Sequence, residues 1–341
     1  MKKVLSFAII FCMLFVMVSC GKEPAPANSG TNDTSKTDVS DSDSNGSTST
    51  DTPLKVGFSL PSMTFPFYVR MYDQIVEEAE ARGWEVTFVD GNLDAGTQMN
   101  GCQDLINSHV DVMIIATWFI DAMVDVFDQC KENDIPVFLM DNMIIPSGAE
   151  DDITFSTGTD NYNAGAVGGV WYANYLKEQG INSIKLVTVS AQSEQQTKRC
   201  SGFTDTLSEN GIDVNILNVY DGGKRETSMA ACEDALTAYA DLELIYGGSA
   251  QDSLGGYDAT TGANRTGVQI IGFDGEDEEL ELIDKGTNYL ATITQDPKGQ
   301  ALLVVDRIEK WRNGETFEQL EETPAGVYCA EGQLSGSDIL N

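Results

Sequence analysis

Residues 55–90 read KVGFSLPSMTFPFYVRMYDQIVEEAEARGWEVTFVD. Lys55–Leu60 and Glu85–Asp90 are short runs rich in β-branched and aromatic residues, and each predicts a strand. Between them Val69, Tyr72, Ile75, Val76 and Ala79 recur at helical spacing on one face, and Gly83 stands where such a helix would stop. The unit is strand, helix, strand. Strands joined this way run parallel, with the helix laid over one face of the sheet.

Outward from this unit the alternation repeats. Further strands are predicted at Val112–Ala116, Val137–Asp141, Ile153–Gly158, Ile184–Val189, Asn215–Tyr220, Leu244–Gly247, Gln269–Asp274 and Leu290–Gln295. Phe203 and Leu207 mark the inward face of another helix, ended by Gly211. The order predicts an α/β fold of parallel sheets covered by helices. From Leu54 to Asn341 the chain is long enough for two lobes with separate cores. No solenoid-type repeat is present.

The N-terminus reads differently. Lys2 and Lys3 precede an apolar run, Val4–Val18, that is long for a signal core and short for a membrane span. It ends in Met17-Val18-Ser19-Cys20-Gly21, which resembles a lipoprotein cleavage box. Residues 1–19 are therefore expected to be a signal peptide and Cys20 the acylated first residue, making the anchor the only tie to a membrane. Residues 20–53 are Ser, Thr, Asp, Asn and Gly rich and too poor in apolar side chains to fold, so a disordered tether is expected. Everything beyond Cys20 would lie outside the cytoplasm, lipid-anchored to the cell envelope.

Composition narrows the function. The formal net charge of -34 argues against nucleic acid or anionic lipid as partners, both of which need a cationic surface. Beyond Cys12 and Cys20, five cysteines (Cys102, Cys130, Cys200, Cys232 and Cys329) form an odd set without CxxC spacing. They predict no metal site and no disulfide framework, although one bridge is open to them; most should pack as small hydrophobes. The single histidine, His109, precedes an apolar strand and gives a nucleophilic triad little to build on. Gly247-Gly248 and Gly255-Gly256 lack the P-loop pattern, and no carboxylate spacing favours a glycosidase. No catalytic residue and no cofactor is expected.

In parallel α/β sheets ligands bind beyond the C-terminal strand ends. Polar and aromatic residues collect there from both halves of the chain: Ser59 to Tyr68 after the first strand, Trp118 after the third, Asp141-Asn142 after the fourth, Arg199 after the sixth, Ser249 after the eighth, then Asp274 and Gln295. One site in a cleft between two lobes would gather them all.

These residues carry a resemblance. Phe58-Ser59-Leu60 with Phe65-Pro66-Phe67-Tyr68, Ile135–Asp141, Ile270-Ile271-Gly272-Phe273-Asp274-Gly275, and Leu290–Gln295 occur in one register from Leu54 to about Gly332. Together they resemble the type I periplasmic binding proteins of the ribose- and galactose-binding group. The resemblance implies two Rossmann-like lobes joined by a three-segment hinge, with crossings near Thr157–Asp160, Thr294–Asp296 and Gly326–Val327. The lobes would be residues 54–157 with 296–326, and 158–295 with 327–341. It further implies a monomeric binding protein that delivers a small sugar to the permease of an ABC importer.

The residues suit that chemistry, since a sugar offers hydroxyls at its edge and C–H groups on its faces. By the resemblance Phe67, with Phe65, Tyr68 and Trp118, would cover the ring. Asp141 and Asp274 would accept from hydroxyls, Arg199 would fork onto sugar oxygens, and Gln295 would donate and accept from the last inter-lobe strand. Ser59, Asn142 and Ser249 complete the candidate set. Departures stand beside it. Ribose-type proteins carry an arginine where Asn142 falls, an asparagine near Ala116-Thr117, an Asn-Asp pair at Ser249-Ala250 and an aromatic near Gly222-Gly223. These put ribose itself in doubt and leave a larger monosaccharide, a disaccharide or a modified sugar open. A repressor of the related sugar-sensing type is excluded by the acidic tether where a DNA-reading helix would be. A ligand-presenting sensor for a histidine kinase or chemoreceptor, or a binder of a furanose-like quorum signal, is the alternative role.

Overall fold

The computed structural model describes residues 52–340; the predicted signal peptide, Cys20 and nearly all of the tether lie outside the described residues. The first sheet holds β1 (Lys55–Leu60), β2 (Glu85–Asp90), β3 (Val112–Ile115), β4 (Val137–Met140), β5 (Ile153–Gly158) and the late β11 (Leu320–Glu322). Its order is β11-β5-β4-β3-β1-β2, and every pairing is parallel. The second holds β6 (Ser183–Ser190), β7 (Asp213–Asp221), β8 (Leu244–Gly247), β9 (Gln269–Asp274), β10 (Tyr289–Thr294), β12 (Gly326–Cys329) and β13 (Gly332–Ser335). Its order is β13-β12-β10-β9-β8-β6-β7, with only β12 and β13 antiparallel to their neighbours. Two lobes of mostly parallel sheet result. The chain changes sheet between β5 and β6, between β10 and β11, and between β11 and β12. Gly326 already pairs with Thr294 in the second sheet.

Central strands are apolar throughout because helices cover both faces. Val112–Ile115, Val137–Met140 and Leu244–Gly247 are buried at every position. Each lobe accordingly has a core on both sides of its sheet. The edge strand β7 has no fully buried position and leaves Ile216 and Val219 exposed.

Helix α1 (Pro66–Arg82) runs as expected, with Pro66 in its first turn and Gly83 closing it at φ 68°. Its buried face is rotated from the expected one. Phe67, Tyr68, Met71, Ile75 and Ala79 are buried, whereas Val69, Tyr72 and Val76 are only partly so. The aromatic pair at the helix start must meet both the sheet and the cleft, and this sets the rotation. Strands β11 to β13 carry too little apolar pattern to predict; pairing with the two existing sheets makes them strands.

All five cysteines of the described residues are free. Cys102, Cys130 and Cys232 are fully buried, and burial pushes their thiols up to about 11, 12 and 12. They pack as small hydrophobes. Among the described residues no helix is long and apolar enough to cross a membrane, and no group of side chains could hold a metal ion.

Candidate functional site

Between the C-terminal edges of the two sheets lies a partly enclosed cavity. Nine of the expected residues line it: Phe65, Phe67, Tyr68, Trp118, Asp141, Arg199, Ser249, Asp274 and Gln295.

The first lobe supplies an aromatic wall. Phe65 and Trp118 lie 5.1 Å apart between ring centres, and Phe67 meets Tyr68 edge-on at 5.3 Å. Tyr68 is 3% exposed, so its phenol anchors more than it covers. Its hydroxyl donates to Asp141 Oδ2 at 2.7 Å and accepts from the Trp118 indole. Burial, then the neighbouring Asp141, holds the phenol well above its ordinary pKa, so it stays a donor.

Asp141 sits just past β4 in the left-handed region, φ 59°, a conformation that non-glycine residues adopt seldom. The following peptide is clamped. A Cβ at Gly158 would come within 2.7 Å of Asn142 N, so β5 must end in glycine here. Gln300 Oε1 accepts from Asp141 N at 3.0 Å. Burial raises the carboxyl of Asp141 to about 6.

The second lobe supplies a hydrogen-bonded array around Asp274, which also has a positive φ, 100°. Its Oδ1 accepts from Arg199 Nη1 at 3.2 Å and from Gln295 Nε2 at 2.7 Å, while Oδ2 accepts from Ala250 N at 3.2 Å. Arg199 also donates to Asn161 Oδ1 and Gly248 O, and its guanidinium lies 4.0 Å over the Phe273 ring. This buried arginine rides on α5 (Glu194–Glu209), which crosses α4 (Asn161–Glu178) almost backbone to backbone. A Cβ at Gly165 would meet Arg199 O at 2.1 Å, and one at Gly202 would meet Tyr162 O at 2.0 Å. Glycine at both contacts lets α5 approach closely enough to bring Arg199 to Asp274.

Two expected residues fall elsewhere. Ser59 is fully buried within β1, where its hydroxyl accepts from Gln98 Nε2 at 3.2 Å. In a sheet covered on both faces, a polar residue in a strand faces core whichever way it points. Asn142 is turned away by the Asp141 bend; its amide donates to Thr117 O and Met140 O, and it borders a neighbouring hollow. Ser249 lines the cavity, but its hydroxyl is engaged with Asp252 at the start of α7 (Ala250–Gly262). His109 lies in a separate surface hollow.

The cavity also contains Ser193, Gln195, Gln196, Gln251 and Glu276, which the sequence reading missed. A signal for them exists. Each sits in the first turn of a helix, or just before it, that follows a strand already credited with a site residue. Glu276 is the most consequential. It caps α8 (Asp277–Asp284), and burial, then Asp274, pushes its carboxyl up to about 7. The lobes touch beside it, where Arg70 Nη1 of α1 donates to Gly275 O at 3.3 Å.

Comparison with known proteins agrees with this geometry. The model of the periplasmic binding protein domain matches residues 56–315. The chain is 24% identical over 328 residues to the ribose import binding protein of Bacillus subtilis (strain 168), covering 95% of this chain and 98% of that protein. It is 26% identical over 298 residues to the D-ribose/D-allose-binding protein of Pseudomonas aeruginosa, covering 82% and 91%. A solved ABC transporter solute binding protein from Mycobacterium smegmatis, with bound glycerol, superposes with a TM-score of 0.73 at 26% identity, over 85% of this chain and 98% of that one. A galactofuranose binding protein gives 0.74 at 20% identity, over 84% and 97%. These relatives are binding proteins and not enzymes. With a domain match across most of its length and a ligand-sized cavity between two parallel-sheet lobes, the chain belongs to the periplasmic binding protein family.

Proposed function

We propose that this chain is the extracytoplasmic solute-binding component of an ABC importer, anchored through Cys20, and that its ligand is a small sugar held in the inter-lobe cavity. The observation that carries the reading is the union of an aromatic wall with a polar array in one small cavity. Sugars require both: ring faces bury against aromatic carbon, and hydroxyls need donors and acceptors around the rim. Relatives named for ribose, allose and D-apiose binding support the ligand class.

In this reading Phe65, Phe67 and Trp118 cover the ring while Tyr68 positions Asp141. Asp141, Asp274, Arg199 and Gln295 read the hydroxyls, and Gln195, Gln196 and Glu276 join them. The lobes are residues 54–158 with 296–325 and residues 159–295 with 326–341, one residue from the expected bounds at two crossings because Gly158 pairs in the first sheet and Gly326 in the second. The protein works as a monomer, and ligand closes the cleft by hinge bending before delivery to the permease.

Thermal-shift screening over neutral and amino monosaccharides and disaccharides, followed by calorimetric titration, tests the proposal. A ligand that binds only the folded state raises Tm. We expect saturable 1:1 binding of a monosaccharide, weakened by Phe67→Ala. A folded protein that binds no sugar at all overturns the reading.

A further inference from the structure

The charges around the cavity do not balance. Its lining includes three carboxylates, Asp141, Asp274 and Glu276, and one cation, Arg199. That cation is already committed to Asp274, Asn161, Gly248 O and the Phe273 ring. Just behind the second-lobe wall, Asp252 and Glu279 are fully buried. Their named partners are hydroxyls and backbone amides: Ser228, Ser249 and Gly223 for Asp252, and Tyr289, Thr292, Ser253 and Glu276 N for Glu279. Arg70, across the rim, reaches exposed Asp277 at 3.9 Å and forms no ion pair with Glu276 or Asp141, although its Nε and Nη2 are buried without partners and its charge partly offsets that of Glu276. Even with Arg70 counted, the cavity wall is net negative.

Hydrogen-bonding capacity is unbalanced in the same sense. Gln295 is 9% exposed, and its Nε2 is turned to Asp274, which leaves Oε1 as a buried acceptor without a partner. Asp141 Oδ1 has no named donor, since Tyr68 serves only Oδ2. The Glu276 carboxyl accepts from the Glu279 backbone in its cap, and its Oε2 has one distant side-chain donor, Gln251 Nε2 at 3.5 Å. At these three oxygens the lining places no close donor, and a protonated amine offers donors and positive charge in one group.

We propose that the cavity selects a cationic sugar, an amino sugar or a sugar-like ring amine, over its neutral counterpart. The proposal rests on the sugar-binding reading and sharpens it to a ligand class. A neutral sugar brings hydroxyl donors but leaves Asp141 and Glu276 as dehydrated charges once the cleft closes, and an unpaired buried charge is strongly unfavourable. An ammonium group pairs with them. Burial is the main cause that raises Asp141 to about 6 and Glu276 to about 7, and the neighbouring Asp274 adds to both. Asp141 faces Tyr68, Arg199 and Asp274; Glu276 faces Asp274, Arg70, Glu278 and Asp277. The amine preference should accordingly grow from pH 5.5 to pH 7.5 as the two carboxyls ionise.

Calorimetric titration of the full globular chain with matched sets decides it. Each set holds a neutral monosaccharide, its amino-deoxy analogue, its N-acetyl analogue and its ring-nitrogen analogue, in gluco, galacto and ribo series, at both pH values. The expected result is at least one amine bound about tenfold or more tighter than its neutral parent and N-acetyl form, with a smaller ratio at pH 5.5. In Glu276→Gln that ratio should fall by about tenfold. If neutral or N-acetylated sugars bind as tightly as the amines in every series, the charge proposal is overturned and the sugar-binding reading stands. If no member of any set binds a protein shown folded by circular dichroism, both are overturned.

Discussion

On the first-lobe side of the cavity Phe65, Phe67, Tyr68 and Trp118 surround a single carboxylate, Asp141, whereas the second-lobe side presents Arg199, Asp274, Glu276, Gln251 and Gln295 with little carbon face. The two aspartates differ as their walls do. Asp274 is the hub of a network with three donors. Asp141 has one side-chain donor and is raised by burial. One aspartate is therefore built into the fold of its lobe, and the other is held ready with its second oxygen open. An aromatic wall gives shape without direction, and a charged array gives direction without shape, so the cleft needs both lobes to recognise anything.

The largest effects are expected on truncating the two aspartates one at a time. Asp274→Ala strips Arg199 and Gln295 of a buried acceptor, and removing one partner of a buried pair typically costs about 3 kcal/mol of stability. Denaturant unfolding should show that loss, and titration should show binding weakened about a hundredfold or more. Asp141→Ala should weaken binding by roughly ten- to a hundredfold with little loss of stability, because its dehydrated charge is removed along with its hydrogen bond. Equal stability losses for the two variants would show that the walls are not organised differently.

A second effect comes from pH. The ordinary values of Asp141 and Glu276 are 3.8 and 4.5, and the fold raises them to about 6 and 7. Groups shifted this way bind protons more tightly when folded. Their stabilising contribution is full below the unfolded values and is lost as pH rises through the folded ones. Glu279, fully buried and raised by burial to about 8, adds to the upper part of the same fall. Without ligand, Tm should therefore fall by several degrees between about pH 5 and pH 8, and Glu276→Gln should flatten the middle of that fall. A Tm that rises across the interval in the wild-type protein contradicts the buried-carboxylate account.

The smallest effect on binding is expected at Cys130, which lies in the first-lobe core far from the cavity lining. Cys130→Ala should leave affinity unchanged within error and lower stability by about 1 kcal/mol, the scale of a small buried truncation. It serves as the control that separates damage to the fold from damage to either wall.

Period and punctuation in the sequence were sufficient for the alternating architecture. Lys55–Leu60, Glu85–Asp90, Ile153–Gly158, Leu244–Gly247 and Gln269–Asp274 form strands with the bounds read from the chain, and Gly83 ends α1 as expected. That residues at the C-terminal strand ends, Asp141 and Asp274 among them, would line one cavity was legible for the same reason: a parallel sheet leaves one edge open to a ligand. Tertiary structure decided the rest. It buried Ser59 because both sheet faces are covered, and it turned Asn142 away because Asp141 takes a left-handed bend against Gly158. It placed Glu276 in the wall through the positive-φ turn at Asp274-Gly275, and it recruited β11, β12 and β13 to sheets that their own residues barely specify. Local pattern records which residues avoid water. Which surface covers them, and which charges are left facing one another, depends on pairings between segments far apart in the chain.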